Sequence, residues 1–354
     1  MRSLVVFMLL VASISNLQAS GGNRFFGEAS VKIHGGYVLP HDKQMHHLSV
    51  DNFLLYQVSL SGQTRGNKAW HHLYNHPYLG FDLLFGGLGY DEVLGRALAF
   101  FPHIRTGLLH TSSLSLELKH GLGLAYLTRS YHPVNNEENI AIGSAMNIAV
   151  HSSLNLNWQF TPEWRLLAGL SLTHFSNGKI ETPNKGLNIP SAHLGIAHHF
   201  SKPELLPQSP ASEKPQIEWL AIAAGGFTAS YPPGSGRSAR YSFTTTWNYA
   251  VSKKHKLGLG YDFFFSYPEK GEGNGNPFIN HGLHFSFQQD YSRMAVVLHN
   301  GVYLWDPAGE RQYFYYHRAG LRYRAGERLI VNLSLKTHLF QAEFIEWGVG
   351  YILW

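Results

Sequence analysis

The sequence predicts an all-β fold, a transmembrane antiparallel β-barrel of the outer-membrane type with roughly 12 to 16 strands. Three observations predict it. Apolar and polar residues alternate with period two along most of the chain, which puts the apolar set on one face of each strand. The alternating runs outlast the roughly 5 to 6 residues usual in soluble proteins and reach the ~9 to 11 of a tilted membrane strand. Charged residues make up 14% of the chain, aromatics another 14%, and glycine 36 of 354 residues. Soluble proteins carry about 25% charge, so this chain has too little for a surface that faces water all round.

The first residues, "MRSLVVFMLLVASISNLQAS", have a basic start at Arg2, an apolar run from Leu4 to about Ile14 and a small-residue exit at Ala19. They predict a secretory signal peptide over 1–19, with the barrel over 20–354. No later stretch reaches the ~18 apolar residues of a transmembrane helix. The absence of cysteine excludes a lipoprotein anchor, disulfides, a thiol nucleophile and thiolate metal sites. The net charge of +5 comes from scattered Lys and Arg, which argues against nucleic acid as a partner and fits a weak attraction to anionic lipid head groups.

Along the chain, the stretch 146–160 sets Ile148, Val150, Leu154, Leu156, Trp158 and Phe160 against Asn147, His151, Asn155, Asn157 and Gln159. Further on, Tyr241, Phe243, Trp247 and Tyr249 oppose Ser242, Thr244, Thr246 and Asn248, and Leu257, Leu259, Tyr261 and Phe263 oppose Gly258, Gly260 and Asp262. Such a barrel places apolar residues outward, small or polar residues inward and aromatics near the strand ends. Counted back from a periplasmic C-terminus, the connections at 110–112, 161–163, 252–255, 290–292 and 325–327 fall on the periplasmic side, and all are short. The alternate connections from Ser130, Asn177, Pro232 and Pro268 fall outside, longer and rich in turn residues. Two stretches break the rule: 62–77 is long for a turn, and 201–215, "SKPELLPQSPASEKP", is a Pro/Ser-rich linker within the barrel. The linker leaves room for a small barrel followed by a second β unit, but one larger barrel is the reading adopted. No repeat at a fixed period is visible. The final strand, "WGVGYILW", ends on an aromatic residue.

The strand beginning near Trp164 runs into "SLTHFSNGKIETPNKGLN", residues 171–188. Trp164, Leu166, Ala168, Leu170 and Leu172 share one face, and His174 and Ser176 continue it; Leu167 and Phe175 are apolar exceptions on the other. Parity therefore predicts that His174 and Ser176 face lipid near the external rim. Their Cα atoms would lie roughly 6.6 Å apart, close enough for an imidazole to reach a hydroxyl. A histidine that takes the serine proton makes a nucleophile and can return that proton to a leaving alcohol. Asn177, Gly178, Asn184 and Gly186 sit where oxyanion donors would be needed. His-x-Ser pairs are common, and on spacing alone a polar strand end is the favoured reading, a balance that the lipid-facing parity narrows without reversing. The 22 histidines include adjacent pairs, but no metal-binding frame such as HExxH is present, and polar filling or rim positions account for them.

"HFSN" followed by "TPNKGLN" resembles the signature of the outer-membrane lipid A 3-O-deacylases, the PagL-like family, over about thirty residues from Trp164 to Leu194. The resemblance implies a metal-free and cofactor-free esterase that hydrolyses an ester-linked acyl chain of lipid A, or a related glycolipid, at the membrane-facing outer wall. It makes Ser176 the nucleophile and His174 the general base, with Asn177, Gly178 and Asn184 as oxyanion or support residues. The family has a small eight-stranded barrel and a glutamate as third member of its triad; this chain has Asn188 at that position, with Glu181 as an alternative acid. The competing function is a non-catalytic porin-like or structural barrel with a vestigial motif.

Overall fold

A computed structural model of the protein describes residues 26–201, 205–207, 217–230, 232–266, 278–305, 314–338 and 341–354. The signal-peptide reading and the glycine-rich 268–277 stretch lie outside the described residues. Among the described residues, alternation becomes sixteen strands, which close into two eight-stranded barrels rather than the single larger barrel expected. The first holds β1 (Glu28–Gly36), β2 (Phe53–Gln63), β3 (Tyr78–Gly87), β4 (Arg96–His110), β5 (Leu114–Leu127), β6 (Met146–Gln159), β7 (Trp164–Ser176) and β8 (Leu187–His199). The second holds β9 (Ile217–Ala229), β10 (Arg237–Ala250), β11 (His255–Ser266), β12 (Phe278–Tyr291), β13 (Met294–Trp305), β14 (Tyr315–Arg324), β15 (Leu329–His338) and β16 (Gln341–Ile352).

Two barrels form because each set of eight strands closes on itself. β1 pairs with β8 from Glu28↔His199 to Gly36↔Ser191, and β9 pairs with β16 from Leu220↔Ile352 to Gly225↔Trp347. Each ribbon of eight thereby uses up both of its own edges, and among the described residues no strand is left to continue a larger wall. The boundary between the two compact units falls at Pro210 and Ala211, inside the Pro/Ser-rich linker.

The walls follow the alternation. Val150, Leu154, Leu156 and Trp158 of β6 are exposed while Asn147, His151, Asn155 and Asn157 are buried, and Tyr241, Phe243, Trp247 and Tyr249 of β10 are exposed over buried Ser242, Thr244, Thr246 and Asn248. The turns at 111–113, 160–163, 251–254, 292–293 and 325–328 are short, as their expected side requires. The longer 64–77 connection holds a single helical turn, α1 (Ala69–Leu73).

Inside the first barrel the filling is layered. At the end carrying the short turns, Glu28 pairs with Arg105 at 2.9 Å and with Arg165, while Glu117 lies 3.4 Å from each arginine. In the middle, Asp82 accepts from Lys119 at 2.7 Å and faces His103 at 3.0 Å, and Lys32 donates to Asn155 at 2.6 Å. At the opposite end, Phe53, Leu55, Leu84, Phe101 and Phe175 merge with Val38, Met45, Leu88 and Ile142 from the longer loops into one buried apolar cluster. Phe175, an apolar exception in the sequence pattern, is thus a core residue of this plug.

The two barrels repeat one design that no fixed period reveals. "LGFDLLF" (79–85) on β3 matches "LGYDFFF" (259–265) on β11. In both, the aspartate accepts a hydroxyl from the preceding strand, Ser59 or Thr244, and faces a histidine from the next, His103 or His284. A Cβ on Gly80 would lie 2.2 Å from Leu60 O and 2.8 Å from the His103 ring; on Gly260 it would lie 2.3 Å from Thr245 O and 2.4 Å from the His284 ring. Glycine is therefore required beside each histidine. Glu28 and Glu218 open the first strand of their barrels, each buried against two cations. Loops of different length separate the matched positions, so the repeat has no constant spacing.

Candidate active site

His174 lies at the end of β7 where the longer loops gather, on the face that carries exposed Leu166, Leu170 and Leu172. Its register partners are Val150 on β6 and Asn188 on β8, and Ser176 is paired with Ile148. All five share the outward parity of their strands. Two turns of chain then set the neighbours. Gly178 and Lys179 both take left-handed backbone, with φ of 66° and 67°, and reverse the strand. Gly186, at φ 76°, returns it to β8; a Cβ there would lie 2.8 Å from His174 Cε1, so glycine also leaves room for the imidazole.

The polar contacts form two short chains. His174 Nδ1 lies 2.7 Å from Asn188 Oδ1, and Asn188 Nδ2 lies 3.0 Å from His41 Nδ1. Ser176 Oγ accepts from Asn184 Nδ2 at 2.9 Å, and Asn184 Oδ1 accepts from the Asn177 backbone N–H at 3.1 Å. The Asn177 side chain donates to Ser144 Oγ at 3.0 Å, and Ser144 donates to Met146 O at 2.8 Å, tying the serine loop to the start of β6. Ser176 and Asn177 are buried and His174 is half-buried.

Asn188, at the position of the expected glutamate, is therefore the group that meets the histidine. Glu181 is held by the Arg237 guanidinium, and Gly178–Thr182 group with the second unit. Ser144 and His41 were not legible in the sequence: His41 meets Asn188 across 147 positions of chain, and no local pattern marks such a contact.

The second barrel carries an echo of the motif. "LSLTH" of β7 has "LSLKTH" as its counterpart on β15, where one extra residue reverses the parity of the histidine; the register shift beside Lys336 and Thr337 comes from the partner strand, where Glu343 of β16 is left unpaired. His338 therefore continues the inward row of Asn332, Ser334 and Lys336, 2.9 Å from Tyr303 Oη and 3.4 Å from Glu343, and the sequence has Phe340 two positions on in place of a serine. Asp262, His284 and His299 form a compact group whose donor atoms lie within 4.8 Å of one another. The Asp262 oxygens already accept from Thr244, His284, Tyr316 and Arg318, so protein donors fill that carboxylate's shell.

Residues 55–197, from β2 to β8, match the family model described as lipid A 3-O-deacylase (PagL), and residues 217–353 match that of the acyloxyacyl hydrolase, C-terminal domain. The chain belongs to the lipid A 3-O-deacylase (PagL) family. The first match covers nearly all of the first barrel, with the His174, Ser176 and Asn188 cluster, and the second match covers the second barrel. No curated protein matches the chain. Among solved structures, Neisserial surface protein A is 10% identical with a TM-score of 0.37, covering 51% of this chain and all of its own. The CymD monoaromatic hydrocarbon channel is 11% identical with a TM-score of 0.22, covering 97% of this chain and 90% of its own.

Proposed function

We propose that this deacylase-family chain is an outer-membrane esterase that removes an ester-linked acyl chain from lipid A, by 3-O-deacylation, at a lipid-facing site on its first barrel. The observation that carries the reading is the chain from Asn188 to His174 at 2.7 Å, with Ser176 two residues on along the same outward row. With the proton of His174 on Nδ1 and donated to Asn188, Nε2 keeps the lone pair that a general base needs. Nε2 takes the proton of Ser176 Oγ as that oxygen attacks the acyl carbonyl. The Asn184 amide, already at Oγ, is placed to donate to the developing oxyanion, and Asn177 holds the loop. Collapse breaks the bond to the sugar oxygen, which leaves with the proton from His174. Water, deprotonated by the same nitrogen, then releases the fatty acid from Ser176.

The outward row below the site is leucine-rich, which fits a substrate that arrives through the lipid, and the loop-end position of the pair matches the depth where acyl chains meet head groups. The filled lumen of the first barrel, charged at one end and apolar at the other, speaks against the porin-like alternative. The test is fatty acid release from lipopolysaccharide by purified protein in detergent. Wild type is expected to release it and Ser176→Ala to lose release by at least roughly a thousandfold, as removal of a triad member does; equal release by both overturns the proposal.

A further inference from the structure

We infer that His41 is a positioning residue: acting through Asn188, it sets which ring nitrogen of His174 carries the proton. The inference rests on the esterase reading above and starts from the chemistry of the orienting group. A carboxylate only accepts, so beside a histidine it fixes the proton on the facing nitrogen. A carboxamide has an accepting end and a donating end, so asparagine alone selects neither tautomer. With Oδ1 toward His174, Nδ1 must donate and Nε2 is bare, as a base requires. With Nδ2 toward His174, Nδ1 must accept, the proton sits on Nε2, and Ser176 has nothing to accept its own proton.

Whatever meets the far end of the amide therefore decides its polarity, and His41 meets it. Asn188 Nδ2 lies 3.0 Å from His41 Nδ1, and an amide nitrogen can only donate, so in this arrangement His41 accepts at Nδ1. The segment bearing His41 is pinned on both sides of it. Leu39 N–H donates to Asn188 O at 2.8 Å, and Asp42 pairs with Lys185, two residues before the strand that carries Asn188. Asp42 also caps the 3₁₀ turn Lys43–Leu48 by accepting from Gln44 N–H at 2.9 Å, which fixes the loop from its other end. His41 is thus held against the amide by three contacts that are not its own.

The test exploits the sign of the replacement. His41→Glu supplies an acceptor only and is expected to keep kcat within about twofold of wild type. His41→Lys supplies a donor only, turns the amide over and is expected to lower kcat by about tenfold or more with KM unchanged, the factor that corresponds to the bias of one hydrogen bond. In the Asn188→Asp background, where the carboxylate fixes the tautomer without help, His41→Lys is expected to change kcat by less than about threefold. A merely structural role predicts similar losses for Glu and Lys and no rescue by Asn188→Asp. Equal losses in folded protein, or a lysine effect undiminished in that background, overturn the inference. Nitrogen-15 spectra of the His174 ring in micelles separate this failure from failure of the esterase reading. The proton belongs on Nδ1 in wild type and His41→Glu and on Nε2 in His41→Lys, whether or not Ser176→Ala abolishes release; an unchanged tautomer overturns the inference on its own.

Discussion

The least usual feature at the level of single residues is an asparagine where an acid is expected. Asn188 meets His174 at 2.7 Å, but in the proposed reaction it carries no charge to offset the imidazolium that would form as Ser176 gives up its proton. In a serine protease, exchanging the triad aspartate for asparagine lowers kcat about 10⁴-fold, largely through the wrong tautomer. The reverse exchange here, Asn188→Asp, is expected to raise kcat for fatty acid release by at least about tenfold, since it supplies both charge and an unambiguous acceptor; a fall would show that the amide's donor end matters more than the missing charge. Gly186 gives a second test at this scale. Gly186→Ala puts a methyl 2.8 Å from His174 Cε1 at a backbone φ of 76° that alanine adopts poorly. Release should drop sharply while the barrel, judged by the heat-dependent shift of its band on a gel, stays folded.

At the level of strands and loops, β7 shows what a sequence can and cannot reveal. Its alternation was legible because lipid and lumen impose a period of two, and because His174, Ser176, Asn184 and Asn188 sit within one strand, one loop and the next strand. Leu167 and Phe175 broke the pattern, and the structure gives the reason for Phe175: a lumen with an apolar plug at one end takes phenylalanine on its inward face. What decides closure is the pairing of β1 with β8, which leaves no periodic trace, and only the linker hinted at it. The reading of the wall as lipid-facing makes a direct prediction. Leu170, at the centre of β7, is 66% exposed, and Leu170→Lys would place a charge at the bilayer midplane. The expected loss is about 2–4 kcal/mol, read from the urea midpoint of protein folded into lipid vesicles, and no loss would place that face outside hydrocarbon. The loop carrying His41 makes a pH prediction. The hydrogen bond from Lys185, then that from Gln44 N–H, holds the Asp42 carboxyl below its ordinary value. A group depressed in the folded state contributes fully above its unfolded pKa and loses that contribution as pH falls through the folded one. Protection from hydrogen exchange in 37–52, taken relative to the intrinsic rate at each pH, should therefore stay constant from neutral pH down to the ordinary carboxylate range of about 3.9 and fall only below it, whereas Asp42→Asn should be less protected throughout.

For the whole molecule, two closed circuits of hydrogen bonds imply two cooperative units. Each barrel holds its charges with its own set of partners: Asp82 with Ser59, His103 and Lys119, and Asp262 with Thr244, His284 and Arg318. Removing one charge from such a buried group leaves its partner uncompensated and usually destabilises by about 3–5 kcal/mol. Asp262→Asn should carry that loss in the second barrel alone, because Arg318 then has only Glu346 as a carboxylate partner among the described residues, while the hydrogen-bonded wall from β1 to β8 is untouched. Asp82→Asn should do the converse and strand Lys119. Hydrogen exchange resolved along the chain separates the outcomes: protection should fall across 217–352 in the first variant and across 28–199 in the second, with fatty acid release at a temperature below either transition altered by neither. A loss of protection that spreads over both ranges from a single substitution would mean that the barrels, although each closes on itself, fold as one unit.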